Sequence, residues 1–312
     1  MLCGATADDD RHLRPVAPRA VPSAMTIDKR LSIEDAVRNY VRPGSLVFVG
    51  GFGQNVPFAI GREIIRQEIT GLTLCRTGAD ILFDLLVAGG AAREIIVGWF
   101  GNPGIGLSHV CRRAQRDGSL TIRETSNFGL LLRLQAAAFG VPFLPTWTLD
   151  GGDLPAIAET ARITCPFSGE TLSAVPALQP DVAIIHAQRA DPAGNVQIWG
   201  ISGDSLTGAR AARRVLCTVE EIVEGDVIRD RAAATMLPSY RVDAIVEAPW
   251  GAWPSYVHDR YDRDDEYYRA WDRLSRDAGL IAGEIKKIRT APATDALPSE
   301  RERRSLTWPA SA

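Results

Sequence analysis

Short apolar runs alternate with amphipathic stretches through the first half of the chain, and small residues separate the two kinds of segment. The runs have the length and β-branched content of buried strands, whereas the amphipathic stretches repeat apolar residues at helical spacing. The predicted strands are Leu46–Val49, Leu72–Cys75, Glu94–Phe100 and Leu120–Arg123, and the predicted helices include Ile33–Val41, Ile60–Ile65, Ile81–Val87 and Phe128–Phe139. This alternation predicts an α/β fold of three layers, a mostly parallel sheet with helices on both faces.

The pattern loosens between Thr148 and Pro180, where we expect a long connection over the surface. After it, Asp181–Gln188 is predicted to be a buried strand, and Val196–Trp199 its partner in a hairpin at the sheet edge. Two more strands and a surface helix are predicted at Val215–Val219, Val242–Ala248 and Asp262–Ala278.

The ends of the chain differ in composition from its middle. Residues 1–24 join an acidic run to Arg and Pro without a continuous apolar segment, so we expect a disordered extension and no signal peptide. Residues 25–289 are predicted to form one domain. Residues 290–312, rich in Pro, Ala and Arg, are predicted to be a loose tail.

The first predicted strand leads into a glycine-rich junction that reads Gly50-Gly51-Phe52-Gly53-Gln54-Asn55-Val56-Pro57. The glycines permit positive φ, and Asn55 can cap a helix that has Pro57 in its first turn. Such a junction leaves backbone N–H groups unpaired beside the positive end of a helix dipole, which suits a phosphate, a carboxylate or a developing oxyanion. The alternative is a turn that uses glycine for its geometry alone.

Small polar residues also follow the next three predicted strands. They are Thr77, Gly78, Asn102, Ser126 and Asn127. Because the carboxyl ends of parallel strands share one edge of a sheet, we expect these residues, together with Gln54 and Asn55, to line one rim and offer uncharged hydrogen bonds to a ligand. Turn and cap chemistry is the alternative for each of them.

Composition and charge exclude several classes of protein. The 312 residues are 46% hydrophobic and 23% charged, which is ordinary for a globular protein, and the formal net charge of −3 argues against a nucleic-acid surface. Only Lys29, Lys286 and Lys287 are lysines, so the glycine-rich junction has no lysine for a Schiff base or a phosphate-binding loop. No apolar run is long enough to cross a membrane.

The cysteines and histidines predict neither disulfides nor a metal site. Five widely spaced cysteines, mostly in apolar runs, indicate reduced core thiols and a cytoplasmic location. The four histidines and five cysteines form no pair at metal-ligand spacing, so we predict no bound metal.

Three stretches of the chain have the character of family motifs: Val49–Gly53 with Pro57, Ala137–Pro145, and Asp181–Gln188 with Gly194–Gly200. Through them the chain resembles the alpha (A) subunits of family I coenzyme A transferases, most of all those of the glutaconate CoA-transferases. The resemblance implies the α/β fold that these transferases share with sugar-phosphate isomerases. The chain departs from the family signature at Asn55-Val56, where a glycine usually precedes the proline.

The resemblance also implies a reaction and a partner. In this family an acyl-CoA is attacked by a glutamate in a Ser-Glu-Asn-Gly-type stretch of the beta subunit, and this glutamate becomes a glutamyl-CoA thioester by a ping-pong route. No Ser-Glu-Asn sequence occurs here, so we expect no catalytic nucleophile in this chain. Coenzyme A would be a substrate rather than a bound cofactor, a carboxylic acid the second substrate, and the enzyme a hetero-oligomer of alpha-beta pairs. The neighbouring Trp250 and Trp253 indicate packing in the core or in an interface, and we expect this aromatic turn to belong to the interface with the beta subunit.

Other functions stay open at this point. A subunit of an acyl-CoA hydrolase or of a ring-opening hydrolase would share the scaffold, although the uncharged Asn127 favours transfer. A dinucleotide-dependent oxidoreductase lacks support because Val56 replaces the third glycine of the fingerprint and Cys75-Arg76 ends the second strand. A non-catalytic binding chain would also lack a nucleophile. Arg76 and Arg133 are both conceivable carboxylate clamps, and the sequence does not choose between them.

Overall fold

The structure is a computed structural model that describes residues 27–102, 104–291 and 297–307, so the predicted extension over residues 1–24 lies outside it. Its strands are β1 (Leu46–Val49), β2 (Leu72–Ala79), β3 (Ala92–Phe100), β4 (Thr121–Glu124), β5 (Phe143–Thr146), β6 (Ala161–Thr164), β7 (Thr171–Pro176), β8 (Val182–Ala190), β9 (Val196–Gln197), β10 (Arg214–Ile222), β11 (Thr235–Leu237) and β12 (Ala244–Glu247). Its α-helices are α1 (Ile33–Tyr40), α2 (Phe58–Arg66), α3 (Ile81–Ala88), α4 (His109–Arg116), α5 (Asn127–Phe139), α6 (Leu154–Ile157), α7 (Ser205–Ala211), α8 (Gly225–Asp230), α9 (Asp265–Leu274), α10 (Ala278–Thr290) and α11 (Glu300–Leu306).

A nine-stranded, mostly parallel sheet forms the centre of the molecule. Seven strands run parallel in the order β4-β3-β2-β1-β8-β10-β12, and β9 and β11 add an antiparallel extension beside the end of β8. The predicted hairpin partner of β8 is therefore present, and the predicted fold class is confirmed.

Two apolar cores flank this sheet, because successive residues of a strand point to opposite faces. In β1, Val47 and Val49 join the core that α1, α2 and α3 cover, while Phe48 joins the core that α5 and α7 cover. All three side chains are fully buried, and burial of one such side chain contributes about 1.5–3 kcal/mol. The arrangement is the three-layer architecture that the alternation predicts.

The chain reverses its direction of travel across the sheet between β1 and β8. From β1 it proceeds outward to β2, β3 and β4, and then returns to place β8 on the other side of β1. In parallel α/β sheets, ligands bind beyond the carboxyl ends of the strands at such a reversal. The glycine-rich junction directly follows β1 at this point.

The region between Thr148 and Pro180, where the sequence predicts a long connection over the surface, contains regular secondary structure. This region contributes β6 and β7 to a separate antiparallel sheet of three strands in the order β5-β7-β6. Pro145 and Pro176 lie inside the paired strands, opposite Ala174 and Phe143. Prolines argue against strands in a sequence, yet Pro145 lies in the edge strand β5 and Pro176 is the last residue of β7. Pairing between distant short strands also leaves little local signal.

The described part of the predicted loose tail over residues 290–312 contains one helix, α11. Ser299 and Glu302 form a reciprocal capping box at the start of α11. The far end of α11 is attached to the body, since the Asp262 N–H donates to Leu306 O over 2.8 Å. The extent of the predicted domain over residues 25–289 stays a prediction.

Trp250 and Trp253, for which the sequence predicts core or interface packing, contact other residues of this chain. Trp253 is only 8% exposed, and its Nε1–H donates to Asp264 Oδ2 over 3.0 Å. Trp250 stacks on Tyr261 with ring centroids 4.1 Å apart. The two indoles thus pack against the C-terminal part of this chain.

Within the described ranges, no helix combines the length and apolar character that a membrane crossing requires.

Candidate active site

The glycine-rich loop turns sharply after β1, and its geometry depends on two glycines with positive φ. Gly51 has φ +91° and Gly53 has φ +76°. A Cβ atom on Gly51 would lie 2.7 Å from Val56 Cα and 2.8 Å from Gln54 O, which are backbone atoms that cannot move aside independently. The loop therefore folds back on itself so closely that only glycine fits at position 51.

Most N–H groups that were expected to point outward are paired within the chain. Gly50 donates to Ile184 O over 2.8 Å, Gly51 to Ser205 Oγ over 2.7 Å, and Phe52 to Gln54 O over 3.0 Å. The expectation that these three N–H groups are free is wrong. Acceptors in β8 and at the start of α7 bind the first two, and a carbonyl oxygen of the loop binds the third. Among the described residues, no group accepts a hydrogen bond from the Gly53 N–H. Gly53 is exposed and lines the cavity described below, so its N–H can still donate to a ligand.

Gln54 and Asn55 lie behind the loop and fix its position. Gln54 is fully buried and its Nε2 donates to Trp199 O over 3.0 Å and to Ile201 O over 2.7 Å. Asn55 has φ +53° and its Nδ2 donates to Gln188 Oε1 over 3.3 Å. Asn55 is not the predicted helix cap, because α2 begins at Phe58 and the chain between them is not helical.

A cavity of about 230 Å³ opens beside the loop at the carboxyl edge of the sheet. Phe52 and Gly53 line it from the loop, Asn127 from the start of α5, and Trp99 from the end of β3. The remaining lining residues are Arg76, Gly78, Asp80, Arg263 and Tyr268. Of the candidates from the sequence, the structure thus brings Phe52, Gly53, Gly78 and Asn127 together.

An ion pair occupies the floor of the cavity. Arg76 is only 1% exposed and its Nη1 lies 3.2 Å from Asp80 Oδ2. Asp80 is also the N-cap of α3, because its Oδ1 accepts a hydrogen bond from the Leu82 N–H over 3.2 Å. Asp80 is the one carboxylate among the described residues that line this cavity, and both of its oxygens are already bound.

Aromatic side chains form the walls. Phe52 and Trp99 are about half exposed at the mouth, whereas Tyr268 is buried. Burial raises the pKa of Tyr268 well above its usual value, so the phenol stays protonated and uncharged. Arg263 lies over the Tyr268 ring, 5.1 Å from its centroid, and its Nε donates to Asp265 Oδ1 over 2.6 Å.

Ser126 and Asn127 have different roles at the start of α5. Ser126 Oγ accepts a hydrogen bond from the Gly129 N–H over 2.8 Å and is the helix cap. Asn127 is the first residue of the helix, and it is exposed at the cavity. It lies close against Gly98, because a Cβ atom on Gly98 would be 2.2 Å from Asn127 Oδ1. The side chain of Asn127 is thus exposed at the cavity, whereas the hydroxyl of Ser126 is used as the helix cap.

Thr77 and Asn102 lie outside the cavity lining. The sequence predicts a loop at Thr77 and Gly78, but both residues belong to β2. This strand pairs with β3 as far as Ala79, which lies opposite Phe100. The Thr77 N–H donates to Asp204 Oδ2 over 2.9 Å. Asn102 is 2% exposed, and within the described residues neither polar atom of its side chain has a hydrogen-bond partner.

The sequence did not identify Asp80, Trp99, Arg263 and Tyr268 as site residues, and it left Arg76 undecided. Arg76 is a charged residue within the otherwise uncharged strand β2, and this is the feature of the sequence that could have marked it as a site residue. Arg133 is excluded from the cavity because it donates to Pro176 O and pairs with Glu159. Arg263 and Tyr268 are distant in sequence, and only the fold brings them to the site.

In the described part of the chain no group of His, Cys, Asp or Glu side chains could hold a metal ion.

Residues 30–248 match the family model described as coenzyme A transferase. The chain belongs to the coenzyme A transferase family. This family match covers more than half of the chain, and it confirms the resemblance that the sequence motifs indicate.

Individual members of the family are similar over most of the chain. The A subunit of the 3-oxoadipate CoA-transferase of Pseudomonas knackmussii is 41% identical over 251 residues, which are 79% of this chain and 88% of that protein. The A subunit of the glutaconate CoA-transferase of Acidaminococcus fermentans is 35% identical over 271 residues, 80% of this chain and 84% of that protein. The crystal structure of the glutaconate enzyme from the same organism matches with a TM-score of 0.86 at 31% identity, covering 90% of this chain and 96% of that chain.

A hydrolase subunit is also similar to the chain. The cholesterol ring-cleaving hydrolase IpdA subunit of Rhodococcus jostii is 31% identical over 261 residues, 78% of this chain and 85% of that protein. The two CoA-transferase subunits have the higher identity. The chain is the alpha subunit of a CoA-transferase.

Replacing Asn127 by alanine should slow turnover of the assembled enzyme by about 10- to 1000-fold if its amide holds the reacting carbonyl oxygen. The adjacent Ser126→Ala variant is the control. It removes the α5 cap, which should lower the free energy of unfolding by about 1 kcal/mol but change kcat little. Steady-state kinetics and thermal unfolding of both variants measure this, and equal kcat values for the two variants would exclude the role of Asn127.

Proposed function

We propose that this chain supplies half of an active site whose nucleophile is a glutamate of a beta subunit, in a Ser-Glu-Asn-Gly-like motif. The observation that carries the proposal is that Asp80, the one carboxylate among the described residues lining the cavity, is bound to Arg76 and to the start of α3. A carboxylate held in this way is a poor nucleophile, because attack would break an ion pair and a helix cap.

The proposed reaction moves coenzyme A between an acyl-CoA and a carboxylic acid. The partner's glutamate attacks the acyl carbonyl and expels CoA thiolate, which leaves a mixed anhydride. The thiolate then attacks the glutamyl carbonyl, the first acid departs as a carboxylate, and a glutamyl-CoA thioester remains. A second carboxylate reverses these steps and leaves as the new acyl-CoA, so no cofactor has to stay bound.

In this proposal the chain contributes walls and hydrogen-bond donors. Each attack places negative charge on a carbonyl oxygen, which the Asn127 amide and the N–H of Gly53 can stabilise. Phe52 and Trp99 give the mouth of the cavity an apolar surface. A beta subunit that covers this mouth would exclude water, which the anhydride and the thioester require.

We further propose a cytoplasmic hetero-oligomer of alpha-beta pairs. Cys75, Cys111 and Cys217 are buried free thiols, as in proteins of a reducing compartment. The apolar mouth of the cavity supports a partner that covers it.

The test uses the chain coexpressed with a beta subunit that carries the Ser-Glu-Asn-Gly-like motif. The purified complex receives acetyl-CoA, butyryl-CoA or succinyl-CoA, first alone and then with a carboxylic acid. We expect release of free CoA to be slow without an acid and a new acyl-CoA to form once an acid is added. Rapid CoA release without an acid, at the same rate when an acid is present, would make the complex a hydrolase.

A further inference from the structure

Glu220, near the end of β10, is a buried carboxylate that the proposed reaction does not use. Its side chain is only 7% exposed. The Tyr261 O–H donates to its Oε1 over 2.7 Å, and the Trp250 N–H donates to its Oε2 over 2.9 Å. His186 Nε2 lies 2.8 Å from Oε1. Apolar residues are often at least as stabilising as a buried charge, so a carboxylate with this many contacts indicates a requirement for one fixed geometry.

The carboxylate holds the chain in a strained conformation at Trp250. This residue has φ +62°, in the left-handed region that bulky side chains avoid. Such a conformation persists only where the surrounding contacts enforce it. Here the N–H of Trp250 donates to Glu220, and its indole stacks on Tyr261. Without the carboxylate, we expect this turn to relax toward an ordinary φ.

The strained turn begins residues 250–261, here called the support segment, which bind the glycine-rich loop from behind. The Asn55 N–H donates to Tyr256 O over 2.9 Å. The Val56 N–H donates to Ser255 Oγ over 3.1 Å. The second half of the loop is therefore attached to the support segment by two hydrogen bonds from consecutive residues.

The support segment also contacts α2 and the partner of Glu220. The Ala59 N–H, at the start of α2, donates to Gly251 O over 2.8 Å. Gly251 lies directly against the His186 ring, because a Cβ atom on Gly251 would be 3.0 Å from His186 Cε1. Contacts thus continue without a gap from Glu220 through the support segment to the glycine-rich loop, and a shift of the segment would move the loop.

We propose that Glu220 is a positioning residue that, through the support segment, holds the Gly53 N–H where the oxyanion forms. The inference rests on the proposed function, in which Gly53 and Asn127 stabilise this oxyanion. Gly53 is two residues before Asn55, which the support segment binds. Glu220 itself is not among the described residues that line the cavity, so it touches no substrate there. A displaced donor weakens the transition state more than the bound substrate, and this lowers kcat rather than raising KM.

Glu220→Gln tests the residue, because glutamine keeps the size of the side chain and replaces one acceptor oxygen by an NH₂ group. In the assembled enzyme it should lower kcat by about 100-fold, the effect of a displacement of about 1 Å at reacting groups, and change KM by less than about threefold. Steady-state kinetics measure both values with the best acyl-CoA and acid found for the unmodified complex. An unchanged kcat, or a loss that lies in KM alone, would overturn the inference.

Asp191→Asn is the matched control, since it makes the same kind of change at another buried carboxylate. Asp191 is 5% exposed, and it accepts hydrogen bonds from the Asn195 N–H over 2.8 Å and from Asn195 Nδ2 over 2.7 Å. Both variants should lower Tm, whereas only Glu220→Gln should lose turnover. Equal losses of kcat in the two variants would show that Glu220 is merely structural.

Hydrogen exchange of the loop tests the route from Glu220 to the site. Mass spectrometry of the assembled complex follows the amides of residues 54–59. Their exchange should be at least about tenfold faster in Glu220→Gln, because the N–H groups of Asn55 and Val56 lose their support, and unchanged in Asp191→Asn. Equal exchange in Glu220→Gln and in the unmodified complex would overturn the proposed route.

Tyr261→Phe provides the test if Glu220→Gln does not assemble. It removes the O–H that donates to Glu220 and keeps the ring that stacks on Trp250. We expect kcat to fall by about tenfold at nearly constant KM, since one of the bonds that hold the carboxylate is lost. Unchanged kcat and unchanged exchange of residues 54–59 would contradict the role of Glu220. Absence of transfer by the unmodified complex with any acid would instead refute the proposed function.

Discussion

Replacing Gly51 by valine is expected to lower turnover of the assembled enzyme by at least about 1000-fold and to leave the complex intact. Gly51 combines φ +91° with backbone atoms of Gln54 and Val56 within 2.8 Å of the place where a Cβ would stand. A β-branched residue resists this φ and must push the loop outward. A displacement of about 1 Å at reacting groups can already cost about 100-fold in rate.

Gly44→Val is the matched control for this prediction. Gly44 has φ +80°, nearly the same backbone strain, but nothing lies within 4 Å of its Cβ position. It precedes β1 at the end opposite the glycine loop. The control should lose about 1–2 kcal/mol of stability and keep its turnover. Circular dichroism and size exclusion establish that the variants fold and assemble. Near wild-type turnover of Gly51→Val would show that the loop is only a turn and has no role in catalysis.

The parts of the fold that local patterns encode could be predicted from the sequence. Apolar strands and amphipathic helices alternate along the chain, and serine side chains cap three of the helices: Ser32 caps α1, Ser108 caps α4 and Ser126 caps α5. The central parallel strands β1 and β8 are buried on both faces, which gives continuous apolar runs such as Leu46–Val49. The fold class follows from these signals.

The site depends on contacts between distant residues, which the sequence does not reveal. Glycine spacing predicts the tight turn after β1, yet Ser205 and Ile184 determine which N–H groups remain free. Arg263 and Tyr268 reach the cavity only because the C-terminal helices pack against the body of the fold. The small antiparallel sheet could not be predicted because it also depends on pairing between distant residues. Its strands β5 and β7 are separated in the chain by α6 and β6.

The purified chain without a partner is expected to show no CoA transfer, a loss of at least about 10⁶-fold relative to the complex. Enzymes of this type obtain their rate from a covalent intermediate, and Asp80 is unsuited to form one. Assays of the lone chain, of the beta chain by itself and of the mixture measure this with the same acyl-CoA. Activity should appear only in the mixture and should rise with the amount of the limiting component.

Locating the thioester tests the central claim most directly. The assembled enzyme is incubated with acyl-CoA and no acceptor acid, the intermediate is trapped with borohydride or hydroxylamine, and both subunits are digested and analysed by mass spectrometry. We predict that the modified residue is the glutamate of the beta subunit's Ser-Glu-Asn-Gly-like motif and that this chain carries no modification. A modified carboxylate in this chain, with Asp80 as the one to examine first, would contradict the account.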